Sequence, residues 1–263
     1  MKIATWNVNS LRVRLPQVIE WLAQQPVDIL GLQELKLAQE HFPIDALAEA
    51  GWQAEWQGQP TYNGVALISS CAATEVQGNL PNFEDPQQRV IAATYATDAG
   101  PLRVINAYCP NGQDLSSDKF LYKLNWYEAF HSWLAEQLAL YPLLVVMGDY
   151  NIAPADADVH DPKAWEGKVH VSPQERAAFQ KLLDLGLHDA FRLFEQEEKS
   201  YTWWDYRSMA FRRNAGLRID HILVSTALLP HTTACFIDKS PRRNERPSDH
   251  TPCVVELNLL PQS

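Results

Sequence analysis

The sequence contains few cysteines and no long apolar segment. Four cysteines stand at positions 71, 109, 235 and 253, and no two of them form a Cys-x-x-Cys pair. This usage excludes a zinc cluster of the common spacing and a disulfide framework, and it favours a reducing compartment. The longest apolar run, from Leu143 to Met147, is far shorter than the roughly 20 residues that span a bilayer. We therefore expect a soluble protein of the cytoplasm that has no membrane partner.

Positive charge is also scarce. The 263 residues include 22 Lys and Arg against 32 Asp and Glu, which gives a formal net charge of -10. Over the whole chain, this balance argues against a polyanionic partner. One segment differs, because between residues 201 and 250 basic residues outnumber acidic residues by eight to five. A nucleic acid partner is therefore not excluded, although we expect few phosphate contacts and a shallow salt dependence of binding.

No Gly-, Ser- or Pro-rich linker and no internal repeat divides the chain, so one domain is predicted over residues 1–263. Apolar runs predict strands over residues 2–8, 28–32, 64–69, 89–97, 102–109, 143–147, 218–224 and 253–259. Apolar residues at helical spacing predict a helix with Pro16 in its first turn, a long helix capped by Ser116, Ser117 or Asp118, and a helix over 173–183. Frequent hairpins favour a layered α/β sandwich with mixed sheets over a doubly wound parallel sheet.

Polar residues interrupt the predicted strands at their ends, where sheet proteins commonly assemble functional sites. They are Asn7, Glu34, Tyr108, Asp149, Asn151, Asp220, Asp249 and His250. Any one of them is more often a turn former, a helix cap or a satisfied buried group than a catalytic residue. Their combination at successive strand ends is harder to explain in that way.

These residue types suit metal-assisted hydrolysis of a phosphate ester. The sequence has no Gly-x-Ser-x-Gly elbow, no Walker loop and no Gly-x-Gly-x-x-Gly motif, so neither a serine nucleophile nor a nucleotide cradle is indicated. Carboxylate oxygens such as those of Glu34 suit Mg²⁺. Another carboxylate can orient water, while amide, phenol and imidazolium donors stabilise charge on phosphate oxygens.

Seven short motifs carry a resemblance to a known family. In chain order they are Thr-Trp-Asn-Val-Asn-Ser-Leu-Arg, Leu-Gln-Glu-Leu-Lys, Tyr-Asn-Gly-Val-Ala, Asn-Ala-Tyr-Cys-Pro-Asn-Gly, Gly-Asp-Tyr-Asn-Ile-Ala-Pro, Leu-Arg-Ile-Asp-His-Ile and Ser-Asp-His-Thr-Pro. Their order resembles that of the exonuclease III / abasic-site endonuclease family over residues 1–257. The resemblance implies a four-layered α/β sandwich with two mixed β-sheets flanked by helices. It also implies a Mg²⁺-dependent phosphodiesterase of DNA repair, with Mn²⁺ as a substitute metal, that acts on double-stranded DNA.

The resemblance further implies roles for the residues that match these motifs. Glu34 would hold the metal, with Asn7 and Asp249 nearby as ligands or orienting groups. Asp149 would position and deprotonate the attacking water. The other matched residues would act on the phosphoryl group: Asn151 and His250 as oxyanion donors, Asp220 as the carboxylate that fixes the imidazole, and Tyr108 as a contact to the phosphate or the leaving group.

A DNA-binding surface is implied as well. Arg207, Arg212 and Arg213 combine with apolar neighbours, as in proteins that distort duplex DNA. Trp203 and Leu217 match the positions at which the family walls a pocket for an extruded sugar. Without the catalytic motifs, a solvated basic loop and a core tryptophan would be the simpler explanations. The expected substrate is duplex DNA with 3′ ends, nicks or abasic lesions, bound by a monomer.

His170 departs from the family pattern, because members that incise abasic sites efficiently usually carry glycine there. An imidazole would crowd the space for an extruded abasic sugar. We therefore expect 3′-5′ exonuclease and 3′-phosphatase activity with weakened abasic-site incision. A fully active abasic-site endonuclease, in which His170 points away, stays open as the alternative. A phosphoinositide or sphingomyelin phosphodiesterase and a DNA-binding module with a dead site are less favoured.

Overall fold

The computed structural model of the protein describes residues 1–259 of the 263-residue chain. Its strands, in chain order, are β1 (Lys2–Asn7), β2 (Ile29–Gln33), β3 (Gln53–Gln57), β4 (Val65–Ser69), β5 (Thr74–Gly78), β6 (Val90–Thr97), β7 (Gly100–Tyr108), β8 (Leu144–Asp149), β9 (Leu187–Asp189), β10 (Asp220–Ser225), β11 (Thr232–Ile237) and β12 (Cys253–Leu257). The α-helices are α1 (Leu11–Gln24), α2 (Ile44–Glu49), α3 (Asp118–Leu140), α4 (Pro162–Trp165) and α5 (Pro173–Asp184). Within residues 1–259, none of these helices combines the length and the apolar character that crossing a membrane requires.

The strands form two mixed sheets of six strands each. The first has the order β11-β12-β1-β2-β4-β3, and the second has the order β5-β6-β7-β8-β10-β9. β1 pairs with β2 and β7 pairs with β8 in parallel, whereas the other neighbours are antiparallel. Each sheet therefore has one parallel pair near its centre, and both strands of that pair end on the same side.

The two sheets pack face to face, and helices cover their outer faces. Ile29 of the first sheet and Met147 of the second are both fully buried in the core between the sheets. On the outer side of the first sheet, Trp21 of α1 packs into a second core. On the outer side of the second sheet, Trp126 and Phe130 of α3 fill a third. The predicted four-layered α/β sandwich is confirmed.

Gly31 allows the two sheets to approach closely near the ends of β2 and β7. A Cβ atom at this position would lie 2.9 Å from Cγ of Asn106 in the opposite sheet. Asn106 bridges the sheets, because its Nδ2 donates to the carbonyl oxygens of Leu32 at 2.9 Å and Ala66 at 2.8 Å. Its Oδ1 accepts from Nε2 of Gln33 at 2.6 Å. This buried network fixes the offset between the sheets close to the strand ends that carry the predicted site.

Sequence patterning predicted the inner strands correctly and missed the edges of both sheets. The predicted strands correspond to β1, β2, β4, β6, β7, β8, β10 and β12, with each end displaced by no more than two residues. The strands that were not predicted, β3, β5, β9 and β11, are the outermost strands of the two sheets. An edge strand buries fewer side chains, and every residue of β3 is partly or fully exposed. It therefore lacks the continuous apolar run on which the predictions depend.

The prediction that Pro16 lies in the first turn of a helix is wrong. α1 begins at Leu11, so Pro16 lies inside it. The helix starts earlier because the backbone amides of Ser10 and Leu11 donate to the carbonyls of Glu34 and Leu35. These tertiary bonds attach the start of α1 to the end of β2 and outweigh the local preference of proline.

The starts of α3 and α5 follow their local sequence. The Ser117 side chain accepts from the backbone amide of Phe120, which confirms the predicted cap of the long helix. At α5, Ser172 and Glu175 form a reciprocal capping box, and Pro173 occupies the first helical position. This capping box also buries the Glu175 carboxylate beside the site described below.

Candidate active site

The predicted site residues converge at one end of the paired sheets. β1 and β2 run in parallel and end beside each other, as do β7 and β8. β10 runs antiparallel to β8, so it begins where β8 ends, and Asp220 stands directly opposite Asp149 in the register. Trp203 forms an isolated bridge with His250, just before β12 begins. Strand ends of both sheets therefore bring the polar side chains to one place.

Asn7 joins the carboxylates that the two sheets contribute. Its Nδ2 donates to Oε1 of Glu34 at 2.9 Å and to Oδ2 of Asp149 at 2.8 Å. Its Oδ1 accepts from the backbone amide of Asn9 at 2.9 Å. Because the amide nitrogen faces both carboxylates and the oxygen is already engaged, this geometry favours an orienting role for Asn7 over that of a ligand.

His250 lies between two buried carboxylates. Its Nδ1 is 2.8 Å from Oδ2 of Asp220, and its Nε2 is 3.8 Å from Oδ2 of Asp149. Burial alone lowers the pKa of His250, but the charges of Asp220 and Asp149 outweigh it and raise this pKa to about 10. The protonated imidazole is therefore favoured at neutral pH, with Nε2 on the side of Asp149.

Asp149 is the acidic centre of the site. Its Oδ1 accepts from the backbone amide of Asn151 at 2.9 Å. Burial, followed by the charge of Asp220, raises the pKa of Asp149 to about 7, while His250 and Asn7 oppose the shift. A carboxyl group with a pKa near neutrality can take a proton from a water molecule, which is the property that a general base needs.

Tyr108 is a neutral hydrogen-bond donor beside the carboxylates. Burial and the charges of Glu34 and Asp149 raise the pKa of the phenol well above its usual range, and Arg89 opposes this shift. The guanidinium of Arg89 lies 5.1 Å from the centre of the Tyr108 ring and donates to the Tyr108 carbonyl at 3.1 Å. Arg89 was not predicted, and it fixes both the ring and the backbone of Tyr108.

Among residues 1–259, one group of three side chains has metal-ligand atoms that all lie within 4.8 Å of one another. It consists of Glu34, Asp149 and His250. His250 is an unsuitable ligand, because its Nδ1 faces Asp220 and its raised pKa keeps the ring protonated. The remaining donors are the oxygens of two carboxylates that Asn7 holds together. Such a donor set fits a hard divalent cation with few protein ligands, as Mg²⁺ prefers.

Asp249 stands outside this group. Its carboxylate accepts from Nδ2 of Asn9 and from Nε1 of Trp203, each at 3.0 Å. Asn9 also accepts from Nζ of Lys36 at 2.6 Å, and Lys36 pairs with Glu34 at 2.9 Å. This chain of contacts favours an orienting role for Asp249. Asn9 and Lys36 were not predicted as site residues, although both belong to the motifs that carry the resemblance.

Asn151 follows β8 in a left-handed conformation, with a φ of 50°. Its Nδ2 donates to the Cys109 carbonyl at 2.9 Å, and its Oδ1 accepts from Nδ2 of Asn111 at 3.2 Å. One N–H of the amide is left for a substrate oxygen. Asn111, which was not predicted, thus holds the side chain in this orientation.

An aromatic cleft of about 320 Å³ lies next to the site, with Trp165 and Trp203 in its wall. The two indole rings meet edge to face at 6.3 Å between centroids. Leu217 is fully buried beneath them in a small apolar cluster, so it supports the wall and does not line the cleft. The His170 ring lies 6.2 Å from that of Trp165 and 6.5 Å from that of Trp203, and it is 6% exposed. His170 is therefore packed against the back of the aromatic wall.

Three predicted DNA-binding arginines, Arg207, Arg212 and Arg213, are exposed on one loop beside this cleft. Met209, at the tip of the same loop, is 65% exposed, whereas Phe211 packs against Trp204. The loop therefore presents basic side chains and one apolar residue to solvent.

The local excess of basic residues between 201 and 250 overstates the positive surface. Arg218 is 1% exposed and pairs with Asp158 and Asp189, each at 2.7 Å. Arg242 is also buried, where its guanidinium lies 4.8 Å from the Phe211 ring centre. Both cations stabilise the loops from inside, so they cannot contact phosphates.

The sequence profile of the Endonuclease/Exonuclease/phosphatase family matches residues 4–250. The chain belongs to this family. Exodeoxyribonuclease III of Haemophilus influenzae is 37% identical over 266 residues, a match that covers 98% of this chain and 100% of that relative. This similarity confirms the resemblance to the exonuclease III / abasic-site endonuclease family that the sequence motifs indicated.

Two solved structures of family members resemble this one closely. A 3′ phosphatase, NExo, from Neisseria, bound to a product DNA hairpin, has 51% identity and a TM-score of 0.95, with 98% of this chain and 99% of that chain covered. An AP endonuclease from Archaeoglobus fulgidus has 36% identity and a TM-score of 0.93, with 98% and 99% covered. The fold of this Endonuclease/Exonuclease/phosphatase family member is therefore shared along almost its whole length.

Proposed function

We propose that this chain is a Mg²⁺-dependent phosphodiesterase of DNA repair that acts at the 3′ ends of double-stranded DNA. It removes 3′-terminal nucleotides and 3′-phosphates, and it incises abasic sites weakly. The observation that carries this proposal is the joined set of Glu34, Asn7 and Asp149, which faces a protonated His250. Oxygen donors for a cation, a base for water and a positive donor for phosphoryl oxygens are thus present at one point.

The broader prediction, a hydrolytic nuclease of DNA repair, is confirmed by the family and by the named relatives. The Neisseria relative, a 3′ phosphatase bound to a product DNA hairpin, supports DNA as the substrate and the 3′ end as the point of attack. The Archaeoglobus relative, an AP endonuclease, keeps abasic-site incision as the second candidate activity. These relatives make a phosphoinositide or sphingomyelin substrate the least favoured of the alternatives.

In the proposed reaction, a water oxygen attacks phosphorus and the P–O3′ bond breaks. O3′ leaves with the bonding electron pair and takes up a proton from solvent, which gives a 3′-hydroxyl on the DNA. Asp149 orients the water and accepts its proton. The imidazolium of His250 and the amide of Asn151 donate to the phosphoryl oxygens, where negative charge increases. Tyr108 is neutral and donates to the phosphate or to the leaving oxygen. Asp220 keeps His250 protonated and fixes the orientation of its ring.

Glu34 is the residue that would hold the divalent cation, with Asp149 beside it as the base for the attacking water. Dependence on a divalent metal is general to the family, and Mg²⁺, with Mn²⁺ as its substitute, is our proposal for this chain. When bound, the cation supplies positive charge to the phosphate oxygens. The protein contributes the orientation of both carboxylates through Asn7 and the pairing of Glu34 with Lys36.

The Asp220→Asn variant should lose activity at a lower pH than the wild type does. In the wild type, the charge of Asp220 raises the pKa of His250 and opposes the effect of burial. Loss of this charge in the variant should therefore lower the pKa of His250. Because the active form of His250 is protonated, the alkaline limb of the kcat profile should move toward neutral pH. The measurement is kcat for nucleotide release between pH 6 and 10. An alkaline limb at the wild-type position would contradict this role of Asp220.

The proposed function is tested by presenting one purified preparation with three duplexes. One carries a recessed 3′ end, the second a nick with a 3′-phosphate, and the third an abasic site. We expect efficient release of nucleotides and phosphate from the first two and slow incision of the third. Incision of the abasic duplex as fast as the other reactions would instead establish the second candidate activity. Turnover of none of the three would contradict the proposal.

His170 is the residue to which we attribute the weak abasic-site activity. Its backbone has a φ of 80°, a conformation that glycine adopts without strain and that other residues adopt rarely. Its ring fills the space behind the wall formed by Trp165 and Trp203. A glycine here would free that space, so that Trp165 and Trp203 could move back and make room for an extruded sugar.

The His170→Gly variant should incise the abasic duplex about 10-fold faster than the wild type, because a small change of space in a pocket is commonly worth roughly 1–3 kcal/mol in the choice between substrates. Release of nucleotides from a recessed 3′ end should not rise, since that reaction needs no extruded sugar and the variant also loses the contact of His170 Nδ1 with the Asn151 carbonyl. The His170→Ala variant is the matched control, because it removes the ring but keeps a Cβ at positive φ. Unchanged incision by both variants would show that His170 does not limit abasic-site incision.

A single domain, a monomeric state and a cytoplasmic location stay predictions. Sedimentation of the purified protein alone and with a 3′-recessed duplex would measure the oligomeric state directly. We expect one copy of the chain on each DNA end.

A further inference from the structure

A buried ion pair lies directly behind the site, and the proposed reaction does not use it. Nζ of Lys123, on α3, contacts Oε1 of Glu175, on α5, and both side chains are 0% exposed. Burying two charges is costly unless each remaining donor and acceptor finds a partner. The partners of this pair therefore show what it holds in place.

Lys123 uses its other two protons on backbone carbonyls of the site. Its Nζ donates to the carbonyl of Asn151 at 2.7 Å and to the carbonyl of Asn111 at 3.1 Å. These residues belong to the two loops that follow β8 and β7. An ammonium group has three N–H donors, so the hydrogen-bonding capacity of Lys123 is fully used.

Glu175 binds a third loop in the same way. Its Oε1 accepts from the backbone amide of His170 at 2.9 Å, and its Oε2 accepts from the backbone and the hydroxyl of Ser172 at 3.1 and 2.6 Å. Nδ1 of His170 lies 2.6 Å from the Asn151 carbonyl oxygen. The ion pair and His170 therefore meet at a single backbone oxygen, that of Asn151.

The backbone of Asn151 is held by contacts on its carbonyl oxygen. Its φ of 50° lies in the left-handed region, which asparagine adopts more readily than most residues other than glycine. The same conformation aims the side chain of Asn151, whose amide is shared with Asn111 and Cys109. Rotation of the peptide after Asn151 would turn this amide away from its present position.

We propose that Lys123, held by Glu175, is a positioning residue for the hydrolytic reaction, and that it acts by fixing the Asn151 carbonyl and so orienting the Asn151 amide toward the phosphoryl oxygens. This inference rests on the proposed function, because that function places Asn151 against the substrate. The charge of Lys123 matters because a cation anchors a carbonyl more firmly than a neutral donor does. Lys123 itself is fully buried and contacts no substrate.

A purely structural role would give a different set of kinetic results, and Arg103 supplies the matched control. Arg103 is also a buried cation, 2% exposed, with Nε on Oε1 of Gln137 at 3.0 Å and Nη1 on the Glu75 carbonyl at 2.7 Å. It contacts none of the site residues in the described part of the chain, residues 1–259. Loss of either cation should lower the melting temperature. Only the loss of Lys123 should also impair the chemical step.

The test compares Lys123→Met, Lys123→Arg and Arg103→Met with the wild type on a duplex with a recessed 3′ end and saturating Mg²⁺. All are assayed at a temperature at which circular dichroism shows them folded. We expect Lys123→Met to lower kcat at least about 10-fold, because small misplacements of a reacting group have effects of this size. KM should stay near the wild-type value. Lys123→Arg, which keeps the charge, should recover part of the loss, and Arg103→Met should retain the wild-type kcat.

Two further results decide the outcome. If Lys123→Met does not fold, Lys123→Gln carries the same comparison, because it keeps a neutral donor and loses the charge. A folded Lys123→Met or Lys123→Gln variant with the kcat of the wild type overturns the positioning role while leaving the proposed function intact. An equal fall of kcat in Arg103→Met also overturns it. A wild type that does not hydrolyse any of the DNA substrates overturns the proposed function first, and this inference with it.

Discussion

Asp149→Asn is expected to lower kcat for nucleotide release by about 10³-fold, because a general base commonly contributes 10²–10⁴-fold. The carboxylate is 1% exposed, is bound by the amides of Asn7 and Asn151, and has a pKa raised to about 7. Asparagine has nearly the same shape but cannot accept the proton of the attacking water. The measurement is single-turnover release of the 3′-terminal nucleotide from a recessed duplex.

The fold of the Asp149→Asn variant should be intact. At pH 8 the Asp149 carboxylate is charged, although burial and the negative charge of Asp220 both disfavour the charged form. Replacing it with a neutral amide should therefore leave the melting temperature of the metal-free protein unchanged or higher. Asp158→Asn is the matched control, because Asp158 is equally buried but pairs with Arg218 outside the site. That variant should melt at a lower temperature and keep its kcat. Near-normal turnover in Asp149→Asn would contradict the assignment of the base.

His250→Ala is expected to lower kcat by about 10²–10³-fold, the usual effect of removing one donor to a developing oxyanion. His250 is the one buried cation that faces Asp149 in the described chain, at 3.8 Å between Nε2 and Oδ2. The loss should be seen in single-turnover kinetics at saturating DNA, where weaker binding has no influence.

The His250→Ala result needs a control for cavity formation. His221 is a second fully buried histidine, whose Nε2 lies 2.8 Å from the Ile152 carbonyl, and burial and Arg218 lower its pKa to about 4. His221→Ala creates a comparable cavity near the same strand. It should lower the melting temperature, and its kcat should fall less than that of His250→Ala. Equal losses of kcat in the two variants would indicate that packing, rather than donation by His250, explains the effect.

The grouping of the candidate site residues could be predicted from the sequence because they interrupt apolar strands in recognisable short motifs. Asp149 and Glu34 follow continuous buried runs, and the parallel pairing of β1 with β2 and of β7 with β8 brings such strand ends together. The edge strands were missed because they bury little apolar surface. Their absence from the prediction did not affect the candidate site, since none of the proposed site residues stands on them.

The supporting residues could not be predicted, since their roles depend on contacts between distant segments. Arg89 stacks on Tyr108, Trp165 meets Trp203, and Lys123 meets Glu175, in each case across a separation that leaves no periodic signal. The sequence also gave no indication of which basic residues point inward. Arg218 counted toward a positive surface and lies instead in a buried ion-pair network.

The proposed hydrolysis at the 3′ end of duplex DNA by the set of Glu34, Asn7 and Asp149 requires a divalent cation. The most direct measurement is the rate of nucleotide release from a recessed 3′ end with Mg²⁺, with EDTA, and with Mg²⁺ or Mn²⁺ added back in excess. We predict turnover with Mg²⁺, its loss in EDTA, and its return with either metal. Turnover that is unchanged in EDTA, or no release under any of these conditions, would contradict metal-assisted hydrolysis by this protein.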